Sequence, residues 1–297
     1  MNKKLGIIFV ILAGVCWGSA AMFVSVLADG FTSYELALTR CAVSAIASLT
    51  LTLVTDPKSL RINKNQILPT ALLGLSFFFM AAFYYMAISN STATTAAIII
   101  NLAPLVVMVY STVFFREKFT LQKGLALGMA LVGCVLVTGI VNGISFKPIG
   151  IAFGFLSCAC YATYSICVSI VTKSGVSAKA STAYTFTLAT VVAMFFANPV
   201  TYAQKVVASP WYIILALVGF GFVTGFMASF LYSNGMRCLP AGVVASMSAL
   251  EPLTSALTSV IFLGEILTVW AVIGVVLILL SVPVLNMSFK RFGKKED

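Results

Sequence analysis

The 297-residue chain is 61% hydrophobic and 9% charged, with a mean hydropathy of +1.08, a balance that excludes a water-soluble domain of this size and makes lipid its solvent. Its net charge of +10 would point to nucleic acid in a soluble protein, yet 15 of the 18 Lys and Arg residues fall in alternate loops on the side of the N-terminus. That asymmetry is the positive-inside pattern of a multi-pass protein of the plasma membrane with both termini cytoplasmic; the partner it implies is the lipid bilayer, and it argues against nucleic acid.

Ten apolar segments follow one another along the chain, at about 5–27, 33–54, 67–88, 93–115, 121–141, 148–172, 180–200, 211–235, 241–263 and 268–288. None alternates with period two, so the expected class is an all-α membrane protein of ten transmembrane helices rather than a β-barrel. Lys3 and Lys4 before the first segment mimic a signal peptide, but the run is long and lacks a clear cleavage site, which makes it the first span. The seven cysteines lie in or at the ends of apolar segments and there is no histidine, so neither disulfides nor a metal site is expected. Cys158-x-Cys160 reads as small packing residues. With no phosphate-binding loop and no nucleophile–base pair, no cofactor is expected, and the chain reads as neither an enzyme nor a pump driven by its own ATPase.

In chain order, the polar and aromatic residues inside these spans are the candidates for function. Span one carries Trp17. Span two carries Arg40, ~10 Å below its outer end, with Ser44 and Ser48 beneath it at helical spacing. Arg40 either faces a cavity or snorkels outward to pair with Glu35 or Asp29. Tyr84 belongs to span three, and Asn101 lies at the middle of span four, one turn before Pro104. Gly124-x-x-x-Gly128 in span five is a close-packing signal. Tyr161 and Tyr184 sit inside spans six and seven. Span nine holds Glu251, half-way through a ~30 Å hydrocarbon layer, where a carboxylate costs about 2.5–3.5 kcal/mol. Pro252 follows it and frees the carbonyl of Ser248, so Pro104 and Pro252 read as hinges within their helices. Ser248, Glu251, Ser255 and Thr258 recur at spacings of three, four and three and share one helix face. An acid at this depth can hold a proton, or attract an amine that lowers its pKa again.

A shift of 148 residues aligns the two halves without a gap over about 45 positions. Tyr84 then meets Tyr232, Pro104 meets Pro252, Glu117 meets Glu265 and Thr120 meets Thr268. Two units of five spans, 1–145 and 146–297, must enter the membrane from opposite sides, which gives a 5+5 inverted repeat. Many secondary carriers are built this way, with substrate bound at the midplane and the halves rocking for alternating access. Glu251 has no partner in this alignment, since its counterpart is Ala103.

Trp17-Gly18-Ser19, Ala37-Leu38-Thr39-Arg40, Tyr85-Met86-Ala87, Leu102-Ala103-Pro104-Leu105 and Glu117-Lys118-Phe119-Thr120 resemble the EamA-type repeat of the drug/metabolite transporter superfamily. Leu250-Glu251-Pro252-Leu253 and Gly264-Glu265-Ile266-Leu267-Thr268 repeat it in the second half. The resemblance implies a cavity lined by spans one to four and six to nine, with spans five and ten packed to one side. One departure is Tyr184, which stands where the first half has Arg40, so a symmetric pair of arginines is ruled out.

The expected function is secondary active transport of a small organic metabolite, amine-bearing and amino-acid-like, with proton coupling at Glu251 and no partner subunit. The expected substrate-binding set is Glu251, Trp17, Arg40, Asn101, Tyr161, Tyr184, Ser248 and Tyr84. The alternatives are a quaternary amine or nucleotide-related metabolite as cargo or, from another class, a non-transporting receptor or an intramembrane enzyme.

Overall fold

The computed structural model describes residues 3–100, 121–137, 147–238 and 268–286, with isolated positions between 102 and 106 and between 254 and 264. Among the described residues there is no strand, and five helices are long and apolar enough to cross a membrane: Lys4–Leu27, Ser33–Thr55, Lys64–Asn90, Pro148–Val168 and Trp211–Gly235. A sixth crossing counts Ala178–Phe196 together with Pro199–Ala208. Ala93–Ile100, Leu121–Val137 and Val269–Asn286 are the described parts of three further apolar segments.

Local sequence sets where these helices begin. Thr32 accepts the N–H of Glu35 while the Glu35 carboxylate accepts the N–H of Thr32 at 2.8 Å, a reciprocal cap that starts span two. Asn63 and Gln66 do the same for span three. Ser177 accepts the N–H of Ala180 and opens span seven.

The apolar segment at 180–200 is not one straight helix, as hydropathy alone suggests. It ends at Phe196, and the chain turns by 96° into Pro199–Ala208. Pro199 lacks the N–H a continuing helix needs, while Asn198 accepts the N–H groups of Val200 and Thr201 and so starts a new helix. This short helix is fastened to the beginning of span two. Tyr202 places its hydroxyl 2.8 Å from that of Thr39 and its ring against Phe31, and Lys205 Nζ donates to the Glu35 carboxylate at 2.9 Å. Because the lysine is half exposed, Lys205→Met is expected to cost about 1 kcal/mol, read as a fall of roughly 2–4 °C in melting temperature in detergent. An unchanged melting temperature would mean that the pair contributes nothing to the fold.

Packing follows a pattern in which each half repeats the other. Span three packs against span six, span one against span eight and span two against span seven, and 121–137 packs on 269–286. Close approach comes from small residues: a Cβ on Gly235 would lie 2.4 Å from Val10, and one on Gly74 would lie 2.4 Å from Leu188. The Gly124-x-x-x-Gly128 expectation is corrected at Gly128, where an added Cβ meets nothing within 4 Å. Phe77, Phe78, Tyr85, Phe186 and Phe220 fill the centre and are fully buried.

Candidate functional site

The first span runs on through Ser19, which keeps right-handed helical backbone angles and whose hydroxyl turns back to the Cys16 carbonyl at 2.7 Å. Trp17, two residues earlier, is buried with its ring centroid 4.9 Å from that of Tyr232. It faces the interior, where the second span delivers a charge.

That charge is Arg40, only 4% exposed. It neither snorkels outward nor pairs with Glu35, whose carboxylate is taken by Lys205 and Thr32. Instead, Nη1 donates to the Tyr85 hydroxyl at 3.0 Å and Nη2 donates to the Thr224 carbonyl at 2.8 Å. The guanidinium carbon lies 5.2 Å from the centre of the Phe77 ring, within the range of cation–π attraction. Spans two, three and eight therefore meet at one arginine.

Span eight offers its carbonyls there because Gly221–Met227 is a π-helical turn, which wedges an extra residue into the helix. Two carbonyls of this turn accept from span two: Thr224 from Arg40, and Gly221 from Ser44 Oγ at 2.9 Å. The approach requires glycine at both positions. A Cβ on Gly225 would sit 2.0 Å from Ser44 Oγ, and one on Gly221 would sit 2.6 Å from Val43 Cβ. Ser48, one turn further along span two, bonds back to the Ser44 and Ala45 carbonyls of its own helix.

Among the described residues, Arg40 shares the wall of a cavity with Trp17, Ala20, Phe77, Met80, Ala81, Tyr84, Ile100, Tyr161 and Tyr164. These side chains bound about 430 Å³ of unfilled space, partly open to solvent. Only about 30 Å³ of it admits the centre of a water molecule, room for roughly two waters. Tyr161 and Tyr164 stack at 6.4 Å, and Tyr164 meets Phe77 edge-on at 5.5 Å. A fixed positive charge in an aromatic, weakly hydrated setting attracts an anionic group more strongly than it would in water.

Of the expected site residues, Trp17, Arg40, Tyr84 and Tyr161 come together on this cavity. Tyr184 does not join them: its hydroxyl donates to the Leu60 carbonyl, in the short turn Pro57–Leu60 between spans two and three. Asn101, Pro104, Ser248, Glu251 and Pro252 lie outside the described residues. Thr258, on the predicted polar face of span nine, donates to the Thr254 carbonyl at 2.9 Å and to the Gly18 carbonyl, beside Trp17, at 3.4 Å.

Phe77, Met80, Tyr164, Tyr85 and Thr224 were not among the expected site residues. Tyr164 was within reach, since it follows Tyr161 by three and shares its helix face. Gly221-x-x-x-Gly225 carried the signal for the contact between spans two and eight. No cluster of His, Cys, Asp and Glu suited to a metal ion occurs among the described residues.

The sequence profile of the EamA-like transporter family matches residues 4–139 and again residues 148–287. A Bacillus subtilis (strain 168) protein named "Uncharacterized transporter YwfM" is 21% identical over 302 residues, covering 98% of this chain and 97% of its own. A solved structure titled only "Crystal structure of protein" matches with a TM-score of 0.64 at 18% identity, over 95% of this chain and 96% of that one. At that identity the likeness concerns the fold alone.

Proposed function

Because the chain belongs to the EamA-like transporter family, with the repeat present twice, we propose that it is a secondary carrier for a small zwitterionic metabolite of the amino-acid class. Alternating access comes from rocking of the halves 1–145 and 146–297. The observation that supports the substrate class is Arg40, a buried guanidinium in the wall of an aromatic cavity. A carboxylate suits it, and the tyrosine and tryptophan wall suits an apolar body. A quaternary amine without an anionic group offers the Arg40 guanidinium nothing to bind, which weighs against that alternative.

In this reading the amine of the substrate is met by Glu251, which exchanges a proton for it. The contact of Thr258 with Gly18 supports an inward-facing polar stripe on span nine, since Thr258 stands two turns from Glu251 on the same face. The room for about two waters is too small for an amino acid, so the aromatic wall must part to admit one. Carriers of this kind act in the plasma membrane and need no cofactor.

Counterflow tests the reading. Liposomes carrying the purified protein and filled with an unlabelled equimolar mixture of the twenty amino acids are placed in a trace of the same mixture, tritiated. Transient accumulation of label above protein-free liposomes is the expected result. Its absence would overturn the amino-acid assignment.

A further inference from the structure

We infer that the π-helical turn Gly221–Met227 of span eight is the positioning element for Arg40: it sets where the guanidinium stands in the cavity and ties the substrate site to the second half. The inference rests on Arg40 being the substrate's anion partner, as proposed above.

Arg40 has a long, flexible side chain, and a cavity charge is useful only when its direction is fixed. Two of its bonds fix it. Nη1 is set by Tyr85 on span three, within the same half. Nη2 is set by the Thr224 carbonyl, which belongs to the other half. A regular α-helix commits its carbonyls to N–H groups four residues on, whereas the π turn changes that register where span two crosses.

The remaining contacts hold the turn against span two. Ser44, one turn beyond Arg40, donates to the Gly221 carbonyl, and Gly225 sits against both Ser44 Oγ and Arg40 Cγ, the latter 3.2 Å from a would-be Cβ. Thr224 itself is fully buried, with its hydroxyl turned to the Phe220 carbonyl, so its own carbonyl is what it offers to Arg40. Any displacement of span eight by a fraction of an ångström is therefore transmitted to the guanidinium. By reciprocity, an anion that draws Arg40 into the cavity pulls on span eight.

A double-mutant cycle between Gly225→Ala and Arg40→Gln reads this directly, with the half-saturating concentration of the tritiated amino-acid mixture in counterflow as the measured quantity. Gly225→Ala pushes span eight off Ser44 and is expected to raise that concentration about tenfold in the wild-type background, while leaving it within about twofold in the Arg40→Gln background. A turn that only packs would raise it equally in both backgrounds, and that outcome overturns the inference while leaving the substrate reading intact. If Arg40→Gln alone leaves half-saturation unchanged, or the wild type shows no counterflow, the substrate reading fails and the inference falls with it. Should Gly225→Ala not purify as a folded protein, Ser44→Ala/Gly225→Ala removes the atom 2.0 Å from the new Cβ. This double variant is expected to give the same dependence on Arg40, and additivity would overturn the inference.

Discussion

Arg40→Gln is expected to raise the half-saturating amino-acid concentration by about 10- to 150-fold while the protein still purifies as a monodisperse species. A hydrogen bond to a charged group is worth about 1.5–3 kcal/mol, and 1.4 kcal/mol is a factor of ten, so the range follows from losing one such bond to the substrate carboxylate. Gln keeps a donor near Tyr85 and the Thr224 carbonyl, which limits the structural damage. Arg40→Lys keeps the charge but not the planar geometry that serves two acceptors at once, and is expected to fall between the two. If Arg40→Gln unfolds the protein in detergent, or transports with wild-type half-saturation, Arg40 is a strut between spans and the cavity has another purpose.

Glu251→Gln is expected to abolish the dependence of uptake on an imposed pH difference, which in a proton exchanger favours uptake when the lumen is the more acidic side, while exchange of amino acid for amino acid continues at a reduced rate. Gln is nearly isosteric and hydrogen-bonds as the acid does, but it cannot titrate. A carboxyl half-way through the bilayer carries an insertion cost of about 2.5–3.5 kcal/mol, so the neutral replacement should express at least as well as the wild type. The measurement is labelled uptake into liposomes with and without an imposed pH difference. Full, pH-dependent uptake by the variant would remove Glu251 from the mechanism and leave it as a residue that helps span nine to bend.

Much of the architecture was legible because hydrophobic length and helix caps are local properties. Span two was read at 33–54 and runs Ser33–Thr55; span six was read at 148–172 and runs Pro148–Lys173. The bend after Phe196 was missed because a hydropathy window averages across Asn198-Pro199, although that pair is itself a stop and a start signal. At the site, depth marked Arg40 as a candidate but left outward snorkelling open, because a long side chain ~10 Å from the span's end can still reach the interface. Its partners were not legible. Tyr85 lies on another span, and the Thr224 carbonyl becomes available through a change of helical register that no side chain announces. Tyr184 shows the complementary limit. Its alignment with Arg40 reports a shared position in the repeat, whereas its surroundings were set by the Pro57–Leu60 turn, which has no reason to recur in the other half.

All but two of the described residues around the cavity, Tyr161 and Tyr164, come from the first hundred positions of the chain. For directed evolution this concentrates the search. A library confined to Trp17, Met80, Tyr84 and Ile100 would reshape the cargo-facing wall while sparing Arg40 and the glycines that seat span eight. New selectivities are expected from such a library because these four side chains face the cavity, while the Tyr85 hydroxyl and the Thr224 carbonyl hold Arg40 in place.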